Sequence, residues 1–156
     1  MDATLASRTT RVRVSIQDIE NEYRRQQYFS FFEGLEPHYR ETGLKFEESM
    51  ENPRIAVVED FNTTGLQGDP ARYQDPPDGH DEAEDFYYFW RNVGRSGKGG
   101  TSRGRWGLGK AVFHLASELH TFFGYTVRNS DGRQLLMGQT VLKRHEANGE
   151  TYVPYG

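Results

Sequence analysis

Gly104-Arg105-Trp106-Gly107-Leu108-Gly109-Lys110 is the stretch of this chain whose residue types suit a phosphate. Glycine has no Cβ, so a ligand can approach its backbone closely and positive φ is accessible. A helical apolar pattern follows, and a helix N-terminus presents unpaired N–H groups with a partial positive charge. Glycines feeding such a terminus, with Lys110 beside them, make an anion site. Gly104 and Gly109-Lys110 fit G-x-x-x-x-G-K, the first part of a P-loop, but Ala111 stands where that loop needs Ser or Thr for magnesium. A P-loop also needs a hydrophobic strand leading in. Ser96-Gly97-Lys98-Gly99-Gly100-Thr101-Ser102-Arg103 cannot be one. The same residues also fit G-x-x-G-x-G, as Gly104, Gly107 and Gly109, whereas the dinucleotide pattern G-x-G-x-x-G is not matched.

A second candidate lies upstream. Arg54-Ile55-Ala56-Val57-Val58 reads as a buried strand that delivers Glu59 and Asp60 to a loop, Phe61-Asn62-Thr63-Thr64-Gly65-Leu66. A carboxylate at a strand end can accept a purine amino group. The Gly65-Leu66 turn lets the backbone pass close to the ring, and Asn62 tolerates left-handed φ better than most residues. Glu59, the neighbouring residue, points to the opposite side of the strand.

The elements that position these residues follow from periodicity. Arg11 to Ile16 alternates polar and apolar, which predicts a half-buried strand. Asp18 suits a helix cap, and Ile19, Tyr23, Tyr28, Phe31 and Phe32 predict one or two helices to about Arg40, with a break near Pro37. Residues 41–53 read as a loop with a short helix. Residues 67–103 are rich in Gly, Pro, Asp and Ser. They place acids (Asp75, Asp78, Asp81, Glu82, Glu84, Asp85) before bases (Arg91, Arg95, Lys98, Arg103), with a short aromatic helix from Asp85 to Val93 between them. A loop this long is usually a lid, a binding loop or a solvated segment. Leu108, Val112, Leu115, Leu119 and Phe122 predict one helix after the glycines. Phe123 to Val127 and Leu135 to Leu142 read as a hairpin around Asn129-Ser130-Asp131-Gly132. The order predicts an α+β fold with helices on one face of a mixed sheet.

Composition bounds the rest. The 156 residues make about one domain, with 35% hydrophobic and 27% charged residues and no cysteine, which excludes disulfides and thiolate metal sites. A net charge of −4 argues against general affinity for nucleic acid. No apolar run reaches the length of a membrane span, and the first residues do not form a signal peptide, so the expected location is the cytoplasm. His80-Asp81-Glu82 reads as solvated loop, and His114 and His120 as helix surface. Lys98 and Arg95 are candidates to reach a terminal phosphate from the lid, and Lys110 to neutralise phosphate charge. No Ser/His/Asp or Cys/His nucleophile has a local signature.

Together, Asp60 to Gly65 and the Gly104-Gly107-Gly109 pattern resemble the GHKL ATPases, the group that includes gyrase B, the heat-shock-ninety chaperones, histidine kinases and MutL. The resemblance runs from Asp2 to about Leu142 and implies a Bergerat fold, a two-layer α/β sandwich with a long ATP lid at residues 67–103. By that resemblance Asp60 binds adenine, with Asn62, Gly65 and Leu66 in the first glycine box. Gly104, Gly107, Leu108, Gly109 and Lys110 wrap the phosphates, Lys98 approaches from the lid, and Thr140 supports the adenine site. Asn62 stands where the family has glycine, and one residue is inserted before Gly65. Met1-Asp2-Ala3 looks like the end of the family's N-box, which predicts that its catalytic glutamate and magnesium-binding asparagine lie upstream. The expected cofactor is therefore ATP, with Mg only where that asparagine is present, and hydrolysis by this chain is expected to be poor. Expected partners are the remaining domains of a longer parent, a second copy in a homodimer, and nucleic acid through a partner domain. Family members of this kind serve bacterial DNA transactions and defence, among other processes. The competing reading is a non-enzymatic interaction module. There, the aromatic and basic segment 86–105 binds nucleic acid or protein.

Overall fold

The computed structural model describes residues 9–77, 83–91, 109 and 111–154. The elements run β1 (Arg11–Asp18), α1 (Glu22–Ser30), α2 (Glu36–Thr42), α3 (Phe46–Glu51), β2 (Arg54–Phe61), α4 (Asp85–Trp90), α5 (Ala111–Leu115), β3 (Thr121–Val127), β4 (Gln134–Thr140), β5 (His145–Ala147) and β6 (Glu150–Tyr152). The class is α+β. Among the described residues the strands pair as three two-stranded antiparallel sheets, β1–β2, β3–β4 and β5–β6, where the sequence had suggested one mixed sheet. The cause is local. Asn62, at φ 64°, turns the chain away at the end of β2, so β2 meets β3 through loop contacts and not through a ladder.

The β1–β2 register places Val12 opposite Asp60, Val14 opposite Val58 and Ile16 opposite Ala56 on one face. Arg13 opposite Glu59 and Arg11 opposite Phe61 share the other. Asp18 is the last residue of β1, opposite Arg54, and is not the expected helix cap. Asn21 caps α1 instead, its side chain accepting from the Arg24 amide at 3.2 Å. The helical stretch breaks just before Pro37, as expected, with α1 ending at Ser30 and α2 starting at Glu36; Pro37 lies in the first turn of α2, where its missing N–H has no intrahelical partner to lose.

Two aromatic centres hold the chain together, and they meet at β3. In the first, Phe32, Tyr39, Met50 and Leu119 are buried, with Tyr28, Phe29, Phe46 and Leu142 packed around them. Tyr39 stacks on Phe46 with centroids 5.2 Å apart. Its hydroxyl lies 2.7 Å from Thr121 Oγ1, which in turn lies 2.8 Å from Thr140 Oγ1 and donates to the Leu119 carbonyl. In the second, Trp90 stacks on Phe122 at 5.1 Å, and Phe113 stacks on the same ring at 5.5 Å. Phe123, on the opposite face of β3, packs against Phe31 and Phe32. Side chains from α1 and the turn after it therefore meet one face of β3–β4, and α4 and α5 meet the other.

The helix expected from Leu108 to Phe122 is cut short. α5 ends at Leu115, and Phe122 belongs to β3. Ser117 interrupts it: its side chain accepts from the Thr121 amide at 3.3 Å, a bond that competes with helix continuation. His120 then takes a positive φ of 49°. Val112 and Leu115, assigned to the apolar helix face, are exposed. The β5–β6 hairpin was not anticipated, although Asn148-Gly149 turns it with φ 53° and 81°, the backbone that Asn-Gly supplies in two-residue hairpin loops.

Gly124 reports on the second aromatic centre. A Cβ there would lie 2.5 Å from Trp90 Cζ2, and Trp90 is fully buried. Gly124→Ala is expected to cost about 1–3 kcal/mol, typical of an overpacked core. Thermal unfolding should show a midpoint lower by several degrees, and an unchanged midpoint would contradict this packing.

Candidate nucleotide site

The strand that carries Asp60 forms where the sequence predicts one and runs through Phe61, but it is not the buried strand expected, because none of its residues is buried and Val58 is 52% exposed. Residues of β2 alternate in exposure, with Ile55, Val57, Glu59 and Phe61 partly buried and Ala56, Val58 and Asp60 exposed. Asp60 therefore shares an open face with Val12, Val14 and Val58, each more than half exposed. Glu59 points to the other face, as expected, and is occupied there: Arg13 Nε and Nη2 donate to its two oxygens at 2.5 and 2.8 Å. These hydrogen bonds hold the Glu59 carboxyl below its ordinary range. Arg11 and Arg13 both lie over the Phe61 ring on that side.

The turn after Asp60 has the two left-handed positions that its residues allow, Asn62 and Gly65. Asn62 Nδ2 donates to the Thr9 carbonyl at 2.9 Å. Gly65 is pressed against β3: a Cβ would lie 2.3 Å from the Val127 carbonyl oxygen and 2.9 Å from Thr126 Oγ1. The Leu66 amide donates to Thr126 Oγ1 at 2.9 Å, and the Asn129 amide to the Thr64 carbonyl at 2.9 Å. The glycine is thus needed for contact within the protein.

Residues 67–77 are tied to α4. Glu84, buried, accepts from the Asp69 amide at 3.1 Å and from Arg72 Nε at 2.9 Å. Arg91 Nη1 donates to the Pro70 and Arg72 carbonyls, each at 2.7 Å, while its guanidinium lies 3.8 Å over the Tyr73 ring. Arg128 Nη1 donates to the Gly68 carbonyl at 2.7 Å. The aromatic helix is described from Asp85 to Trp90, Val93 lying outside the described residues, and Phe86, Tyr87 and Trp90 are buried.

Of the remaining candidates, Lys98, Gly104, Gly107, Leu108 and Lys110 lie outside the described residues, as do Arg95 and His80. Gly109 is exposed, with open space where a Cβ would be. Thr140 is given to the core network with Thr121 and Tyr39. It pairs with Thr121 at one end of β3, whereas Gly65 contacts Thr126 at the other. Five residue steps along the strand separate these points by about 17 Å, so Thr140 is not beside the Gly65 turn. His114 is buried and His120 sits in a turn, so neither occupies the helix surface assigned to it. Sequence reasoning singled out no pocket residues at α1–α3, yet an open depression of about 740 Å³ lies there, lined by Arg25, Phe29, Phe32, Glu33, Phe46 and Met50 among others. Among the described residues no group of three His, Cys, Asp or Glu side chains is placed to hold a metal, and no helix is long and apolar enough to cross a membrane. No family model, curated protein or solved structure matches this chain.

Two outcomes follow. Gly65→Ala must strain a left-handed backbone and displace the Val127 carbonyl, and it is expected to destabilise the fold by about 1–3 kcal/mol, measured by chemical denaturation. Burial, with His120 nearby, pushes the His114 pKa below its ordinary 6.5. The unfolded chain then binds the proton more readily, so stability is complete above about pH 6.5 and declines as the pH falls through the folded-state value. Between pH 7 and pH 5 the unfolding midpoint of His114→Gln should fall less than that of the parent protein, and parallel curves would contradict this assignment.

Proposed function

We propose that the chain is an adenine-nucleotide-binding module of the GHKL type. Asp60 takes the purine amino group, and the Gly104-Gly107-Gly109 stretch with Lys110 takes the phosphates. The supporting observation is the position of Asp60: an exposed carboxylate at a strand end, on the same open face as Val12, Val14 and Val58. A flat apolar surface with one acceptor at its rim suits a ring that carries an exocyclic amine. In this reading the three small sheets belong to the two-layer Bergerat sandwich, and residues 67–103 to its lid. Asn62, Gly65 and Leu66 shape the turn beside the base.

Binding without efficient hydrolysis fits the carboxylates. Glu59, adjacent to Asp60, is turned to the opposite face and engaged by Arg13, so it is poorly placed to activate water on the Asp60 side. Magnesium belongs to this reading only where the asparagine of the family's N-box is present. The bound state would then act on a partner domain or a second copy. The interaction-module reading is weakened by burial of Phe86, Tyr87 and Trp90, which removes aromatic faces from base stacking.

Thermal shift with ATP, ADP, GTP and single-stranded DNA tests the proposal. ATP and ADP should raise the midpoint and GTP should not. Asp60→Asn should weaken adenine binding about tenfold or more, the worth of a hydrogen bond to a charged group. No shift with either adenine nucleotide would reject the reading. A shift with DNA alone that weakens with salt would favour the interaction module.

A further inference from the structure

The α2 helix and the β5–β6 hairpin meet through two imidazoles. His38 Nδ1 and His145 Nε2 lie 2.9 Å apart, although the two residues are 107 positions apart in the chain. His145 Nδ1 is 2.8 Å from the Lys143 carbonyl oxygen. A carbonyl can only accept, so His145 carries its proton on Nδ1 and presents the Nε2 lone pair to His38. Tyr152 walls the pair, stacked on His145 and edge-on to His38. Both histidines are only partly buried.

We propose that His38 and His145 form a two-imidazole site for a divalent copper ion. Two features carry it. First, the facing ring nitrogens lie 2.9 Å apart, so a modest tilt of each ring away from the N–N line of the present hydrogen bond lets both reach one ion at about 2.0–2.1 Å. Imidazole nitrogens suit copper, and among the divalent ions of the series Cu(II) binds such donors most tightly. Second, an imidazole whose other ring nitrogen donates to a backbone carbonyl is the usual arrangement of a metal-ligating histidine, fixing both its tautomer and its orientation. On binding, the proton that His38 Nδ1 donates in the neutral pair shifts through solvent to His38 Nε2, so both facing nitrogens offer lone pairs and no net proton is released. Water completes the coordination, because no third protein ligand of the His, Cys, Asp or Glu type is grouped there among the described residues. The ion would pin the hairpin to α2.

The test is titration of the full chain with Cu(II), followed by proton NMR and electron paramagnetic resonance. At substoichiometric copper, the ring protons of His38 and His145 should broaden before those of His80, His114 and His120. The paramagnetic spectrum should show two nitrogen ligands. His38→Gln and His145→Gln should each weaken binding at least tenfold, while His120→Gln should not. Because the broadening is read on the parent protein, misfolding of a variant does not obscure it. Uniform or later broadening of His38 and His145 would overturn the proposal, as would copper binding that survives both substitutions.

Discussion

The contact on which most of the chain depends is the indole of Trp90 lying flat against Gly124 and the Phe122 ring. A side chain at residue 124 would intrude on the indole, so the glycine makes a seat for it. Through that seat α4 is fixed to the β3–β4 hairpin, and Gln139 Nε2 reinforces it by donating to the Trp90 carbonyl. What α4 carries follows. Glu84 just before the helix and Arg91 just after it hold residues 67–77 by an ion pair, backbone carbonyls and a stacked ring. The long polar segment thus has an ordered first part, although its composition reads as loop. The Asp69 amide and the Pro70 and Arg72 carbonyls serve as backbone donor and acceptors for these two charged side chains.

The other face of the same hairpin depends on a polar chain inside an apolar cluster. Tyr39, Thr121 and Thr140 share hydroxyl contacts, and burial pushes the Tyr39 hydroxyl pKa up. A buried tyrosine needs such a partner, because an unsatisfied hydroxyl in this setting costs about 1–3 kcal/mol. Thr140 therefore has a structural duty sufficient to explain its presence, independent of any ligand.

Local chemistry was legible in the sequence where it was self-contained. The strands at Arg11 to Ile16 and Arg54 to Val58, the opposed directions of Glu59 and Asp60 and the turn at Asn129 to Gly132 emerge from residue type and periodicity, but the burial expected of the two strands does not, since Val12, Val14, Ile16 and Val58 are all exposed. The left-handed pair Asn62 and Gly65 was also readable. Failures came where distant contacts decided. Leu119 and Phe122 keep helical spacing with Leu108 and Val112, yet Leu119 is buried from a turn and Phe122 is partly buried from a strand, because Ser117 diverts the chain and Trp90 offers Phe122 a stacking face. The Asn148-Gly149 signal was present but flanked by strands too short for periodicity to register. His114 is buried with the Phe122 ring beside it, a contact that no spacing rule reveals. At the candidate site, the Asp60 carboxylate and its turn were readable, whereas the docking of Gly65 on Val127 was not.

The β1–β2 register carries a consequence for how the chain acquires its shape. Its partners, Arg11 with Phe61 through Asp18 with Arg54, enclose three helices, whereas β3–β4 and β5–β6 close around short turns. The entropy of closing a loop rises with its length before any contact offsets it, and non-local pairings slow folding accordingly. The two local hairpins are thus expected to form early, with the aromatic residues condensing around β3. The ladder bearing Asp60 closes last, and its apolar face of Val12, Val14, Ile16 and Val58 gains little burial in return. The candidate site accordingly sits on the most weakly nucleated part of the molecule, where a bound ring would add order that the chain alone supplies sparingly.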